Sequence, residues 1–262
     1  MSSGANWPGA AIERLIGPDL PGFRVEVVPQ IDSTNTELMR RARSGQLDPV
    51  LLVAQQQSAG RGRMGREWLS GEGPASSLAF SLGLALSPRD WSGLSLAVGL
   101  SIVQSLHADL RLKWPNDVWW HGRKLAGILI ETACVGSSRY AVVGVGINVA
   151  ERDGAGLATA PAWLRELLPG IDPPGALLRI AAPLVQAIKA FEGQGFAPFQ
   201  AGFNQRDALD GLNVVLSDGT SGVARGVNSI GALQLQTAHG LTDVTSAEVS
   251  VRPGATPALA MP

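Results

Sequence analysis

Three stretches of this sequence combine side chains in a way that suits chemistry on anions. The first is Gln57-Ser58-Ala59-Gly60-Arg61-Gly62-Arg63-Met64-Gly65-Arg66-Glu67-Trp68, which places three guanidiniums within six residues and interleaves them with glycine. Each guanidinium offers a planar fork matched to carboxylate or phosphate oxygens. Trp68 adds a ring that can stack on a base. The second runs from Lys113-Trp114-Pro115-Asn116-Asp117 to Lys124-Leu125-Ala126-Gly127-Ile128-Leu129 and supplies an amide, a carboxylate and a lysine at the head of an apolar strand. The third, Gly144-Val145-Gly146-Ile147-Asn148, puts glycine in a strand, where it weakens pairing and points to close approach by a ligand or by backbone.

Each stretch has a plainer reading. An isolated arginine pair is usually a solvated basic turn, and Asn116 and Asp117 could be turn formers after a proline that ends a strand. Gly60, Gly62 and Gly65 formally satisfy the dinucleotide fingerprint GxGxxG. That pattern needs a helix directly after the glycines, and Leu69-Ser70-Gly71-Glu72-Gly73-Pro74 breaks one. A phosphate-binding Walker loop is excluded because Arg66-Glu67 stands where Lys-Ser/Thr is required.

The elements that must position these residues follow from periodicity. Phe23 to Val28 alternates as a strand, and Asp32-Ser33-Thr34-Asn35-Thr36-Glu37 reads as a helix start in which Thr34 and Glu37 fit a capping box. That helix should end near Gly45. Val50 to Ala54 is a buried strand leading into the arginine loop, Ser77 to Leu86 another, and Trp91 to His107 a helix packed on the sheet. Leu110 to Trp114 alternates as a strand. Leu125 to Cys134 and Arg139 to Val149 form an antiparallel hairpin. Helices are expected over Pro161–Leu168 and Gly175–Phe191. After about Asp210 the pattern becomes short strands between turn signals: Leu212–Leu216, Gly222–Val227, Leu233–Thr237 and Val244–Val251. This suggests an appended β-barrel. Three segments result: 1–209 carrying the chemistry, 210–252 a small β-barrel, and 253–262 a disordered Pro/Ala-rich tail.

Composition narrows the function. The chain has 262 residues and a formal net charge of -1, so no global field would hold it on nucleic acid or an anionic membrane. A lone cysteine, Cys134, rules out an internal disulfide, and three scattered histidines show no zinc-ligand spacing. The first 20 residues lack an apolar signal core, and no run suits a membrane span, so a cytoplasmic location is expected.

Taken in order, Asp32-Ser33-Thr34-Asn35, the arginine loop through Trp68, Lys113-Trp114-Pro115-Asn116-Asp117, Lys124 to Leu129 and Gly144 to Asn148 resemble the biotin protein ligase family. The resemblance is dense from Phe23 to Val149 and architectural beyond. It implies an α+β fold: a class II aminoacyl-tRNA synthetase-like catalytic domain with a mixed, mostly antiparallel sheet, followed by a small Src-homology-3-like β-barrel. It implies a monofunctional ligase that forms biotinyl-5'-AMP from biotin and ATP and transfers biotin to a lysine of a biotin carboxyl carrier protein.

Carried over by position, Ser33, Thr34, Asn35, Gln57, Gly62 and Gly127 would bind biotin. Arg61 and Arg63 would face its carboxylate and the α-phosphate, and Arg66, Trp68, Asn116, Ile128, Gly144 and Asn148 would hold the adenylate. Lys124 would be the central catalytic cation, and Asp117 would act on the nucleotide side, with Mg²⁺ brought by ATP near it. Two rivals stand beside this reading. A lipoate or octanoate transferase of the same fold fits the arginine loop and the Lys-Trp-Pro-Asn-Asp motif less well. A biotin-responsive repressor would need a helical DNA-binding domain, and about 22 residues precede the first expected strand. A monomer or weak homodimer is expected.

Overall fold

The computed structural model describes residues 6–71, 73, 75–154, 159–245 and 251–253. Its main sheet has seven strands: β1 (Arg24–Ile31), β2 (Val50–Gln57), β3 (Ser77–Ala85), β4 (Arg111–Lys113), β5 (Asp117–Trp120), β6 (Arg123–Val135) and β7 (Ser138–Asn148), in the order β1-β2-β3-β7-β6-β5-β4. β1 and β2 pair parallel and every other neighbour pairs antiparallel, so the sheet is mixed and mostly antiparallel as expected.

The central strands read as continuous apolar runs because both faces are covered. On one face, Leu51, Val53, Phe80, Leu82, Val143 and Val145 pack under the helices α1 (Gly9–Ile16), α3 (Leu94–Leu106) and α4 (Pro173–Gln194). α4 starts where the Asp172 carboxylate accepts the Gly175 N–H at 2.8 Å, with prolines in its first turn. Among the described residues the other face carries a single helix, α2 (Thr34–Arg43), whose Leu38, Met39 and Ala42 lie on Val50, Leu52, Val142 and Tyr140. One helix does not cover that face, and the space beside it becomes the cleft.

A second, five-stranded antiparallel sheet follows, from β8 (Asn213–Leu216), β9 (Ser221–Val227), β10 (Leu233–Thr237), β11 (Gly240–Val244) and β12 (Val251–Pro253), in the order β11-β10-β9-β8-β12. It is joined to the main sheet through a short α5 (Gln200–Asn204). The junction is tied by Leu112, whose N–H donates to Arg206 O and whose carbonyl accepts the Ala208 N–H, both at 2.8 Å. The Trp114 indole adds a bond to Gly231 O at 3.0 Å.

Several expectations need correction. The α2 cap is Ser33, whose hydroxyl accepts the Thr36 N–H; Glu37 is drawn away from a capping box by ion pairs with Arg40 and Arg41. Pro161–Leu168 is no helix: Ala160 and Ala162 hydrogen-bond to the Lys124 backbone in extended form, leaving room only for a 3₁₀ turn at Leu164–Glu166. Of the expected strand Val244–Val251, Val244 ends β11 and Val251 begins β12, and residues 246–250 lie outside the described residues. Of the expected tail 253–262, Pro253 ends β12 and the remainder lies outside the described residues. α1, β5 and α5 were not anticipated.

Candidate active site

The cleft lies on the α2 face, where the ends of β6 and β7 carry glycine. Residues Tyr140, Val142, Gly144 and Gly146 alternate toward this face, while Ala141, Val143, Val145 and Ile147 enter the opposite core. The two glycines make the space: a Cβ on Gly144 would stand 2.0 Å from Asn35 Oδ1, and one on Gly146 would stand 2.3 Å from the Trp68 ring. The resulting opening measures about 890 Å³, including solvent at its mouth.

One end of the cleft is built by the start of α2. The Thr34 N–H and hydroxyl both donate to Gln57 Oε1, at 2.8 and 3.1 Å, which fixes Gln57 at the end of β2. The Ser81 hydroxyl lies 2.6 Å from both Thr34 Oγ1 and Asn35 Oδ1. The Asn35 amide donates to Leu129 O at 3.2 Å and to Glu131 Oε2 at 3.0 Å. Every hydrogen of the Asn35 amide is thereby committed, and its oxygen is oriented to accept. Glu131 also pairs with Arg61 at 3.0 Å.

The other end is charged. β4 and β5 form a hairpin in which Lys113 pairs with Asp117, and the turn contains a cis Trp114–Pro115 peptide bond. Asn116 is locked by its amide donating to Ile128 O at 2.8 Å and accepts from Arg63 at 3.5 Å. Lys124 Nζ stands 2.7 Å from Asp117 Oδ1. Burial lowers the Arg63 guanidinium from its usual pKa, Asp117 raises it and Arg66 lowers it again.

Lys124 reaches this face because of an irregularity in β6. Val118 pairs with Ala126, but the next residue, Trp119, pairs with Lys124, so Leu125 is an extra residue in the strand. Leu125, Ala126 and Ile128 all enter the core. Without the extra residue, Lys124 would share their face; the bulge turns it toward Gly127 instead, with Nζ 3.2 Å from where a Gly127 Cβ would be. The Lys124 backbone is held on its far side by bonds to Ala160 O and from the Ala162 N–H, at 3.0 and 2.8 Å.

The arginine loop covers both ends. Its stem is closed by the Trp68 N–H donating to Gly60 O at 2.9 Å and the Gly62 N–H to Arg66 O at 2.7 Å. Trp68 is drawn onto the floor over Gly127 and Gly146, with its indole nitrogen buried and without a hydrogen-bond partner.

The structure thus gathers Ser33, Thr34, Asn35, Gln57, Arg61, Gly62, Arg63, Arg66, Trp68, Asn116, Asp117, Lys124, Gly127, Ile128 and Gly144 around one cleft. Two of the expected residues stand apart from the others. Asn148 does not line it: its amide donates to Lys124 O at 3.3 Å and to Ala162 O at 3.0 Å, so it buttresses the lysine from behind. Arg61 is set against Glu131, at the opposite end from Lys124 and Asp117. Ser81 and Glu131 were missed. Ser81 sits in a strand read only as core, and a single carboxylate within the apolar β6 was the available signal for Glu131.

Comparison with known proteins places the chain in a family. Residues 27–148 match the Biotin/lipoate A/B protein ligase family. The bifunctional ligase/repressor BirA of Escherichia coli (strain K12) is 35% identical over 92% of this chain and 77% of its own length. The biotin–[acetyl-CoA-carboxylase] ligase of Paracoccus denitrificans is 34% identical over 85% of this chain and 98% of its own. The biotin protein ligase of Aquifex aeolicus, solved in complex with biotin and ATP, superposes with a TM-score of 0.75 at 28% identity, covering 88% of this chain and 99% of that one. The chain therefore belongs to the biotin protein ligases within the biotin/lipoate A/B protein ligase family.

Proposed function

We propose that the protein is an ATP-dependent biotin protein ligase that joins the carboxylate of biotin to AMP and then passes the biotinyl group to a lysine of a carboxylase carrier protein. The observation that carries this reading is the order of groups along one cleft. Neutral hydroxyls and amides of Thr34, Asn35 and Gln57, the first two held by the buried Ser81, occupy one end, and Lys124, Asp117 and Arg63 the other. A ureido ring is neutral and needs oriented acceptors and donors, which the first end supplies. A carboxylate attacking an α-phosphorus brings like charges together, and fixed cations at the second end offset that repulsion.

Biotin's own oxygen is the nucleophile in the first step, so no protein nucleophile is required. Lys124 and Arg63 hold the carboxylate and α-phosphate together, and Asp117 keeps the ammonium aimed into the cleft. In the second step the carrier amine attacks the acyl carbon and AMP leaves. The closed stem of the arginine loop and the Trp68 ring limit the access of water to the mixed anhydride.

Among the described residues no three His, Cys, Asp or Glu stand together to hold an ion. Asp117 is already engaged by Lys124, so the residues present do not form a resident metal site. Mg²⁺ is therefore assigned to the ATP substrate, where phosphate oxygens suit a hard cation.

The chemistry falls within 1–209, and the β unit at 210–252 serves the fold or the docking of the carrier. The test is incubation with ATP, Mg²⁺ and either biotin or lipoate, read by mass spectrometry. Biotinyl-AMP and subsequent labelling of a carrier lysine are expected; lipoyl-AMP as the preferred product would overturn the reading.

A further inference from the structure

Arg152 belongs to no motif, yet its guanidinium is half-buried on a loop directly behind the cleft. One of its terminal nitrogens donates to Leu69 O at 2.8 Å and to Asn148 Oδ1 at 3.1 Å. Both acceptors are neutral. Burial lowers the guanidinium from its usual pKa, and its Nε is buried without a hydrogen-bond partner. Burying a guanidinium for two neutral carbonyls is a poor exchange for stability alone.

The partners explain the position. Leu69 directly follows Trp68, the residue that ends the stem of the arginine loop and lies on the glycine floor. Asn148 ends β7 and donates to the carbonyl of Lys124. The backbone ahead of Arg152 is anchored, since the Val149 and Ala150 N–H groups both donate to Ser76 O, at 2.9 and 3.0 Å. A continuous path thus runs from the loop carbonyl through Arg152 and Asn148 to the backbone of the lysine.

We propose that Arg152 is a positioning residue that latches the arginine loop to the strand end carrying Lys124, so that the guanidiniums of the loop and the ammonium of the strand are registered to each other. This rests on the adenylating function proposed above. Opening the latch lets Trp68 leave the glycine floor and exposes the adenylate, without removing any group that touches substrate. The planar guanidinium holds both hydrogens of that one nitrogen in fixed directions, whereas a lysine ammonium on its flexible stem would hold the two acceptors less firmly.

The full chain, Arg152→Met and Arg152→Lys are compared in two measurements. The first is the initial rate of cleavage after Arg61, Arg63 and Arg66 by an arginine-specific protease, set against the thermal midpoint of each protein. The second is the rate at which preformed biotinyl-AMP dissociates. Loop cleavage at least about tenfold faster in Arg152→Met with the midpoint little changed, adenylate release faster by a similar factor, and Arg152→Lys intermediate in both are expected. Should the Met variant fail to fold, the Lys variant carries the same comparison. Loop cleavage unchanged within about twofold in a folded variant would overturn the latch. A wild-type chain that binds no biotinyl-AMP would instead refute the function, and the cleavage comparison would still judge the latch.

Discussion

Lys124 Nζ and Asp117 Oδ1 stand 2.7 Å apart, yet they come from neighbouring strands whose regular pairing would point them to opposite faces. The pair exists because Leu125 is an extra residue in β6. On the proposed function it would place a cation beside the atoms on which charge develops, in a cleft partly shielded from water, where such a charge has most effect.

Replacing Lys124 by Ala is expected to slow adenylation by two to three orders of magnitude, or about 3–4 kcal/mol, the scale for losing one preorganised electrostatic contact. Transfer from synthetic biotinyl-AMP should suffer less, because the phosphorus chemistry is then complete. ATP–pyrophosphate exchange and single-turnover transfer measured on the same variant separate the two; normal exchange would remove Lys124 from its role.

The glycine floor predicts a steric result. Gly146→Ala would bring a methyl to 2.3 Å from the Trp68 ring, and Gly144→Ala one to 2.0 Å from Asn35 Oδ1. Overpacking of this kind costs about 1–3 kcal/mol. Here it should appear as weaker ligand binding, since both residues line the cleft. Calorimetric titration with biotin should show affinity reduced about tenfold or more, with Gly144→Ala, nearest the α2 end, affecting biotin most.

Glu131 is expected to act through Asn35 rather than through Arg61. The Arg61 pair is half-exposed, and such pairs contribute about 0–1 kcal/mol. Glu131→Gln keeps an acceptor for the Asn35 amide and should raise the KM for biotin only slightly. Glu131→Ala frees that amide to rotate and should raise it about tenfold, leaving the KM for ATP nearly unchanged. Steady-state kinetics with each substrate varied in turn distinguish these outcomes, and equal effects of the two variants would contradict the assignment.

Stability should depend on pH through Asp207, at the junction of the two sheets. Burial pushes its carboxyl up to about 6, against the opposing effect of the Leu209 N–H, and Asp210 adds to the rise. One of its oxygens is buried without a hydrogen-bond partner. The folded state holds this proton more tightly than the unfolded chain does. Stability from this group is therefore present below the ordinary carboxylate range and is lost as the pH rises through about 6. Asp207→Asn retains an acceptor for Leu209 and should stabilise the protein at pH 7.5 by on the order of 2 kcal/mol, with the gain vanishing near pH 4. Thermal melts across that range provide the check.

The central strands of the main sheet were legible because burial on both faces writes them as apolar runs, and the central helices because of their spacing, whereas β5 was not. α1 escaped notice because a short amphipathic turn is masked by flanking glycine and proline, although Ile12 and Ile16 are fully buried in it. The 160–162 segment was misread since its extended form is imposed by the Lys124 backbone, a partner about 36 residues away. The site residues stood out where several charges recur at short spacing, as in the arginine loop. Ser81, Glu131 and Arg152 did not, each being a single polar residue whose partners lie far along the chain. Strict alternation would also have turned Lys124 into the core, and periodicity does not announce a bulge.

The glycine floor has one more consequence. Asn35 rests above Gly144 and Trp68 above Gly146, two residues apart on a strand that advances about 3.3 Å per residue. The spacing of these two side chains along the cleft is therefore set by backbone repeat rather than by flexible side chains, and on the proposed function the cleft would work as a ruler. An acid with the right head but a longer or shorter tail would bind and still hold its carboxylate out of step with Lys124, so selection among acids falls on the rate of reaction as well as on affinity.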